Sequence, residues 1–334
     1  MHLEDRIHLL VELGKYMDSD PDEWVSARQK AYEENKWFEP VFIDLAVKNI
    51  VKEFLDENKL RSWTDHYGIP SENPKPGNVG LVMAGNIPLA GFHDFLCIFI
   101  SGHKQIIKPS GKDHLLIEHL SDKLFRIADE TRGLIRFADM LKGCDAYIAT
   151  GSNNTARYFD YYFGKYPHII RRNRTSIAIL SGDESGSDLE HLADDVFQYF
   201  GLGCRNVTQI FVPYNYDFVA LLGAFKKYEW MATHHKYKNN YDYQLALLIL
   251  NKKFYMTNSS IILTENSSPF SPISVLHYQY YSNSGDITAF SPNNQQIQTV
   301  VGAGFTAFGK AQSPTLTDYA DGIDTLQFLH DLNL

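Results

Sequence analysis

Apolar side chains recur at helical spacing through about the first 66 residues. Leu3, Ile7, Leu10 and Leu13 fall three or four positions apart, and the stretch VFIDLAVKNIVKEFL (Val41 to Leu55) repeats this pattern. We therefore predict that the chain begins with a set of helices.

After a proline-rich break at residues 70–77, short apolar runs alternate with helical patterns. The predicted strands are Val79–Met83, Gln105–Ile107, Ala146–Ala149 and Ser176–Leu180, and the predicted helices begin near Leu89, Leu115 and Asn153. The strands lead into turns rich in Gly, Ser and Pro. This alternation is typical of the α/β class, with a doubly wound parallel sheet.

In such a sheet, ligands bind beyond the carboxyl ends of the strands. The sequence places Asn86, Lys108 and Gly151-Ser152 after three of the predicted strands, and so along one edge. The helix N-termini that follow can accept a phosphate. No GxGxxG motif is present, so the edge is a candidate nucleotide site that lacks the usual dinucleotide fingerprint.

A second α/β region contains Cys204. The helical stretch DLEHLADDVFQYF leads into Gly201-Leu202-Gly203, then the thiol, and then a β-rich run, Val207–Val212. On a glycine-flanked turn a thiol is open to a substrate, and its backbone N–H can point at a reacting oxygen, as a nucleophilic cysteine requires. The alternative is a small buried thiol, because free cysteines are among the most buried residues.

Composition narrows the class of protein. The 334 residues are 44% hydrophobic and 21% charged, as in soluble globular proteins. The formal charge of −9 and the lack of a long Lys/Arg cluster argue against a nucleic-acid binder. The densest basic patch, Arg171–Arg174, is expected to be a solvated loop unless a phosphorylated ligand lies nearby. The longest apolar run, Phe95–Ile100, is too short to span a membrane, and we expect a cytoplasmic protein.

The three cysteines do not form a CxxC pair, so neither a metal site nor a disulfide framework is predicted. Cys97 lies in the apolar run FLCIFI and is expected in the core. Cys144 follows Lys142-Gly143 at an element boundary and is expected to be structural.

Taken together, these segments resemble the aldehyde dehydrogenase superfamily. Gly77–Ser110 is similar to that family's strand–turn–helix–strand segment with an Asn-X-Pro turn and a Lys-Pro-Ser end. Ala149–Phe159 is similar to its Thr-Gly-Ser turn, and Asp188–Pro213 to the segment with its catalytic cysteine. The short chain and the tail GFTAFGKAQSPTLTDYADGIDTLQFL resemble the acyl-CoA reductases of the LuxC-like family.

The resemblance implies a role for each matching residue. Cys204 would be the nucleophile, and Asn86 would donate its side-chain amide to the developing oxyanion. Lys108 and Ser110 would contact the cofactor, Lys108 through the adenosine ribose. Gly151 and Ser152 would face the pyrophosphate. For Asn86 the alternative is that it caps the following helix.

The departures from the family pattern bear on the reaction. Aldehyde-oxidising members carry a Glu-Leu-Gly-Gly segment whose Glu activates water, and here Arg171–Arg174 takes that place. The acidic residue that often follows Lys-Pro-Ser is replaced by Gly111-Lys112, which favours NADPH over NADH. The family's Glu-X-Phe-Gly-Pro segment appears as Ser268–Pro272, so its ribose contact from Glu is missing.

The resemblance therefore implies an NADPH-dependent reductase of acyl-CoA or acyl-carrier thioesters, including fatty acyl ones, in a possible homo-oligomer. Arg205 and the basic patch are candidates to lower the pKa of the Cys204 thiol. The alternatives are an aldehyde-oxidising dehydrogenase, an acyltransferase without redox chemistry, and a non-catalytic binding protein.

The expected architecture is aldehyde dehydrogenase-like, with two α/β domains and a tail. Residues 1–183 form the helical segment and the NAD(P)-binding domain, 184–316 the catalytic domain, and 317–334 a helical tail.

Overall fold

Five short strands, all parallel, form the first of two sheets in the computed structural model, which describes residues 1–282 and 295–332. Their order is β3-β2-β1-β4-β5, so the chain starts at the centre, winds outwards and then crosses to the other side of β1. Such an order creates a switch point between β1 and β4, where ligands bind in doubly wound sheets. The strands are β1 Asn78–Val82, β2 Lys104–Lys108, β3 Ile135–Phe137, β4 Ala146–Thr150 and β5 His168–Arg171.

Helices surround this sheet, and the apolar spacing of the sequence decides which faces they bury. In α1 the buried residues include Leu10, Leu13 and Met17, which lie three or four positions apart on one side of the helix. α5 is buried almost all round, as expected for an apolar helix in the centre of a core. The helices are α1 Leu3–Asp18, α2 Asp22–Glu34, α3 Pro40–Phe54, α4 Glu57–Tyr67, α5 Phe92–Ser101, α6 Leu115–Ile127 and α7 Asn153–Phe163.

The second sheet has six strands in the order β11-β6-β7-β10-β9-β8, and only β8 runs antiparallel to its neighbour. Three helices, α8 Gly186–Phe197, α9 Phe218–Ala224 and α10 His235–Leu250, belong to the same part of the chain. The strands are β6 Thr175–Ile179, β7 Val207–Pro213, β8 Met256–Thr257, β9 Ile262–Glu265, β10 Val275–Tyr281 and β11 Ile297–Gly302.

The chain divides into two units, each with its own sheet. The first unit combines Met1–Asn173 with Pro314–Leu334, and the second is Arg174–Ser313. The predicted α/β class with two α/β parts is confirmed. None of the described helices is both long and apolar enough to cross a membrane.

The observed division differs from the predicted boundaries at 183/184 and 316/317. The predicted fourth strand of the first sheet is β6, and it pairs instead with β7 and β11 in the second sheet. An apolar run predicts a strand but does not encode its partner. Two strands of the first sheet, β3 and β5, were not predicted because they are short and each contains an arginine.

The predicted separate tail is part of the first unit. It ends in a short helix, α11 Thr325–His330, and four of its apolar side chains lie in the same buried cluster as α1 and α5. Those four are Leu316, Tyr319, Leu326 and Leu329. The tail therefore completes the core of the first unit.

Arg171, at the end of β5, is a structural anchor in the first unit rather than part of a solvated loop. Its side chain is buried, and Nη2 lies 2.7 Å from Asp94 Oδ1 on α5. The same nitrogen donates to Thr325 Oγ1 at 2.7 Å, and Nη1 donates to the Ala320 carbonyl. One guanidinium thus ties the sheet, the central helix and the tail together.

We expect Asp94→Asn to lower the free energy of unfolding by about 3–5 kcal/mol, because it leaves a buried guanidinium without its counter-charge. Urea denaturation of the whole chain would measure this. Asp160→Asn is the matched control, since it breaks the exposed pair with Arg172 (2.7 Å) and should cost about 1 kcal/mol or less. Equal losses in the two variants would contradict the anchoring role of Arg171.

Candidate active site

The three cysteines differ in exposure. Cys97 and Cys144 are buried, whereas Cys204 is partly exposed. Burial raises the pKa of the Cys97 thiol well above its ordinary value and also raises the pKa of Cys144, which disfavours the thiolate that a nucleophile needs. Of the three, Cys204 is therefore the thiol best placed to react.

The backbone just before Cys204 adopts a rare conformation. Tyr199, Phe200 and Gly201 have φ values of 55°, 58° and 73°, three consecutive residues in the left-handed region. Glycine accepts this region freely, whereas each of the two aromatic residues costs about 1–2 kcal/mol there. Such strain persists only where the surrounding structure enforces it, and it is concentrated at functional sites.

Asn206 is the side chain that holds this turn. It is fully buried, and its Oδ1 accepts a hydrogen bond from the Gly203 N–H at 2.8 Å. Its Nδ2 donates to the carbonyls of Asp195 (3.0 Å) and Gln198 (2.8 Å), where α8 ends. Because one amide satisfies groups on both sides of the strained residues, it fixes the path of the chain into Cys204. The only sign of this role in the sequence is a polar residue just before a strand.

Cys204 itself lies at the amino-terminal edge of the second sheet. Its carbonyl accepts a hydrogen bond from Ser176 Oγ at 3.1 Å, at the start of β6, and β7 begins three residues later. The neighbouring Arg205 donates to Thr299 Oγ1 at 3.1 Å, and Arg174 donates to the Ile297 carbonyl at 3.2 Å. Arg205, and Arg174 of the predicted basic patch, therefore each have a hydrogen-bond partner within the protein.

A small cavity lies beside the turn, and Phe200 and Gly201 form part of its wall. Its volume is about 20 Å³, room for about one water molecule. As it stands, this cavity is too small to hold a fatty acyl chain. The rest of its lining comes from Val196, Phe197, Val207, Thr208, Tyr237, Ile261 and residues 271–275.

The carboxylates after β6 lie at the opposite edge of the second sheet from Cys204. Glu184 folds back onto its own loop, where its carboxylate accepts from the N–H groups of Ser181 (2.5 Å) and Gly182 (3.1 Å). Since Ser176 contacts the Cys204 carbonyl at the other end of β6, a strand of roughly 3.3 Å per residue separates the two places by roughly 16 Å. Neither Asp183 nor Glu184 is therefore placed to act on a water at the thiol.

The other predicted residues lie in the first unit, and the sheet register brings them to one edge. Val82, at the end of β1, pairs with Lys108 on one side and Ala149 on the other. Asn86, Lys108 and Gly151 therefore follow the carboxyl ends of adjacent parallel strands. Asn86 is exposed and does not cap α5, which begins at Phe92 with Gly91 as its N-cap.

Asp113, which sequence reasoning missed, holds the turn that carries Asn86. It is buried, and its Oδ2 accepts from the Leu89 N–H at 2.7 Å, where Leu89 has a φ of 56°. Gly85 packs so closely on the next loop that a Cβ would stand 2.3 Å from Ser110 Oγ. Burial raises the pKa of the Asp113 carboxyl to about 7. Its place three residues after Lys-Pro-Ser was the only available signal.

Gly151 and Ser152 have local structural roles as well as a position on this edge. The Ser152 hydroxyl accepts from the Thr155 N–H at 3.2 Å and so caps α7. A Cβ on Gly151 would lie 2.9 Å from the ring of Phe159. Lys108 is exposed, as are Gly111 and Lys112 on the following loop. These features leave a helix N-terminus and an exposed cation at the switch point, a combination that suits a nucleotide phosphate.

We expect the Asp113 carboxyl to make stability depend on pH. Its pKa is about 7 in the folded protein, against about 3.9 for an unfolded aspartate, so its contribution is full below about pH 4 and is lost as the pH rises through 7. Asp113→Asn stays neutral and keeps an acceptor for Leu89. Its free energy of unfolding, relative to wild type, should therefore rise between about pH 4 and 7 in urea titrations. A difference that stays flat over this pH range would contradict this.

Comparison with solved structures identifies the fold. The chain superposes on aldehyde dehydrogenase 21 from Physcomitrella patens, in complex with the reaction product succinate, with a TM-score of 0.67 and 14% identity over 90% of this chain and 74% of the other. A mutant aldehyde dehydrogenase from Bacillus cereus gives 0.68 and 13% over 90% and 72%. The Mycobacterium tuberculosis aldehyde dehydrogenase complexed with NAD+ gives 0.65 and 13% over 88% and 71%.

By sequence, no protein-family model matches the chain, and no curated protein matches it either. The solved structures are 10–14% identical to it, so they establish architecture and not activity. The chain has the aldehyde dehydrogenase-like α/β fold.

Proposed function

We propose that the protein is an acyl-CoA reductase, which converts an acyl thioester to the aldehyde through an acyl-enzyme on Cys204. The observation that carries the proposal is the Cys204 turn, where the one partly exposed thiol follows three left-handed residues that Asn206 locks in place. A rigid, strained turn presenting a thiol suits a nucleophile.

In the proposed acylation, the Cys204 thiolate attacks the thioester carbonyl carbon. The carbon–sulfur bond to CoA, or to a carrier thiol, then breaks, and that thiol leaves with the electron pair. The Asn86 side-chain amide is the proposed donor to the oxyanion, because an uncharged amide stabilises negative charge without a proton transfer.

NADPH, when bound, would supply the hydride for reduction. As the acyl carbon gains its hydrogen, its bond to the Cys204 sulfur breaks, so that the aldehyde and the Cys204 thiolate are released. The proposed holding residues are Lys108 and Ser110 after β2 and Gly151 and Ser152 at the start of α7. They fit this role because they follow adjacent strands at the switch point of the sheet. Exposed Gly111-Lys112 favours the 2′-phosphate of NADPH, which a carboxylate at that place would repel.

Aldehyde oxidation is the second candidate, since the similar solved structures are aldehyde dehydrogenases. It requires a base that activates water at the acyl-enzyme. The position of Asp183 and Glu184 at the far edge of the second sheet supports reduction instead.

The decisive experiment detects the acyl-enzyme. Incubated with an acyl-CoA and no cofactor, wild type should gain the mass of one acyl group, and NADPH should then remove that mass and yield the aldehyde. Cys204→Ala should gain none, whereas Cys97→Ala and Cys144→Ala should behave as wild type. An adduct on Cys204→Ala would refute the assignment. An adduct that NADPH and NADH both leave in place would indicate acyl transfer without redox chemistry.

We expect Asn86→Ala to keep the fold and to slow acylation by about 10² to 10³, the usual cost of one lost oxyanion donor. Single-turnover acylation followed by mass spectrometry measures the rate. Asn153→Ala, at the first helical residue of α7, is a control that should leave the rate unchanged. A fall of less than about tenfold at unchanged stability would make Asn86 structural.

The direction of the reaction gives a third test. If water attacks the acyl-enzyme slowly, aldehyde oxidation with NADP+ should proceed when free CoA is present and nearly stop without it, because thioester exchange is then the only fast exit. Absorbance at the reduced-cofactor band measures both rates. Oxidation that runs equally fast without CoA would instead support the dehydrogenase, and Asp183→Asn and Glu184→Gln would then show whether that loop holds the base.

A further inference from the structure

A groove lies at the amino-terminal edge of the first sheet, at the opposite ends of the strands from the proposed cofactor residues. It has a volume of about 340 Å³, in the range of small-molecule sites. Lys104 lines it at the start of β2, while Lys108 ends that strand. The remaining lining is formed by Asn78, Gln105, Ile106, residues 132–136, Lys142 and Gly143.

The charge of this groove is opposite to that of the chain. Its lining contains Lys104, Arg132, Arg136 and Lys142 and no carboxylate, in a chain with a formal charge of −9. Arg132 is paired with Asp129 at 2.9 Å. Across residues 1–282 and 295–332, the side-chain nitrogens of the other three take part in no hydrogen bond or ion pair of the protein. Clustered cations of this kind concentrate anions at a cleft.

Besides Asp129, one more carboxylate lies close to the groove without lining it. Asp145 accepts a hydrogen bond from the backbone N–H of Asn78 at 2.7 Å, and this bond links the starts of β1 and β4. The Asp145 carboxylate is thus bound to the backbone of the rim, and the three lining cations other than Arg132 remain in excess.

The lining also leaves backbone open to a ligand. A Cβ on Gly133 or Gly143 would meet no atom within 4 Å, so backbone is accessible at both places.

We propose that this groove binds a phosphate-bearing ligand. Lys104, Arg136 and Lys142 contact the phosphate oxygens, since guanidinium and ammonium groups form charge-assisted hydrogen bonds with them. Two sources carry this chemistry, the 3′-phosphate of CoA and a free nucleotide. The proposal does not depend on the reductase assignment.

Calorimetric titration of the whole chain at low salt tests the groove, with pyrophosphate, ADP, CoA and dephospho-CoA as probes. The double variant Arg136→Ala/Lys142→Ala should bind pyrophosphate at least about tenfold more weakly, since loss of even one charge-assisted hydrogen bond weakens binding by about that factor. Both side chains are exposed, so the variant should fold, and thermal unfolding verifies that. Lys48→Ala, an exposed lysine on α3, is the matched control and should bind as wild type.

The Lys108→Ala variant distinguishes binding in this groove from binding at the proposed cofactor edge. Pyrophosphate binding that falls with Lys108→Ala but not with the double variant would overturn the proposal, as would no binding to wild type at millimolar concentration. A preference for CoA over dephospho-CoA that the double variant abolishes identifies the CoA phosphate as the source. Tight ADP binding that the double variant abolishes and Lys108→Ala leaves intact identifies a nucleotide. The Cys204 adduct is measured separately, so failure of one proposal leaves the other standing.

Discussion

The buried pair of Arg171 and Asp94 is the constraint on which the first unit depends. It joins the last strand of the first sheet to the central helix α5, and through Thr325 it also holds the C-terminal helix. Burying two charges is expensive, and their attraction offsets that cost only when the geometry is good and the remaining donors are satisfied. Here the extra bonds to Thr325 and Ala320 satisfy them. The chain leaves the first unit two residues later, at Asn173.

A buried polar side chain also stabilises the turn before the Cys204 thiol. Asn206 is neutral, but it too is fully buried and joins segments that would otherwise separate. The left-handed Tyr199 and Phe200 show that the chain bends sharply there at a conformational cost. Burial of both aromatic side chains and the bonds of Asn206 offset that cost. The two units thus use the same device, a buried polar side chain that fixes where a loop departs.

Much of this architecture was predictable from local pattern. The four N-terminal helices, the strands β1, β2 and β4, and the turns that carry Asn86 and Cys204 all follow from spacing and turn residues. The contacts between residues far apart in the sequence could not be predicted in this way. Nothing in a run such as TSIAI assigns β6 to the second sheet, and nothing near Asp94 indicates a partner 77 residues away. The candidate site residues lie where a turn marks them in the sequence, whereas Asp113 and Asn206 act through contacts that only the fold creates.

The tail has a consequence for how the protein is made. Trp63 Nε1 donates to the Tyr319 hydroxyl at 3.0 Å. The core of the first unit therefore contains residues that are more than 250 positions apart in the sequence. On a ribosome that adds about 5–20 residues per second, the second unit emerges in between, and the first unit waits roughly 10–30 s for its last segment. During that interval the surfaces meant for Leu316, Tyr319, Leu326 and Leu329 are open to water. Newly made chains should therefore depend on chaperones more than the finished protein does.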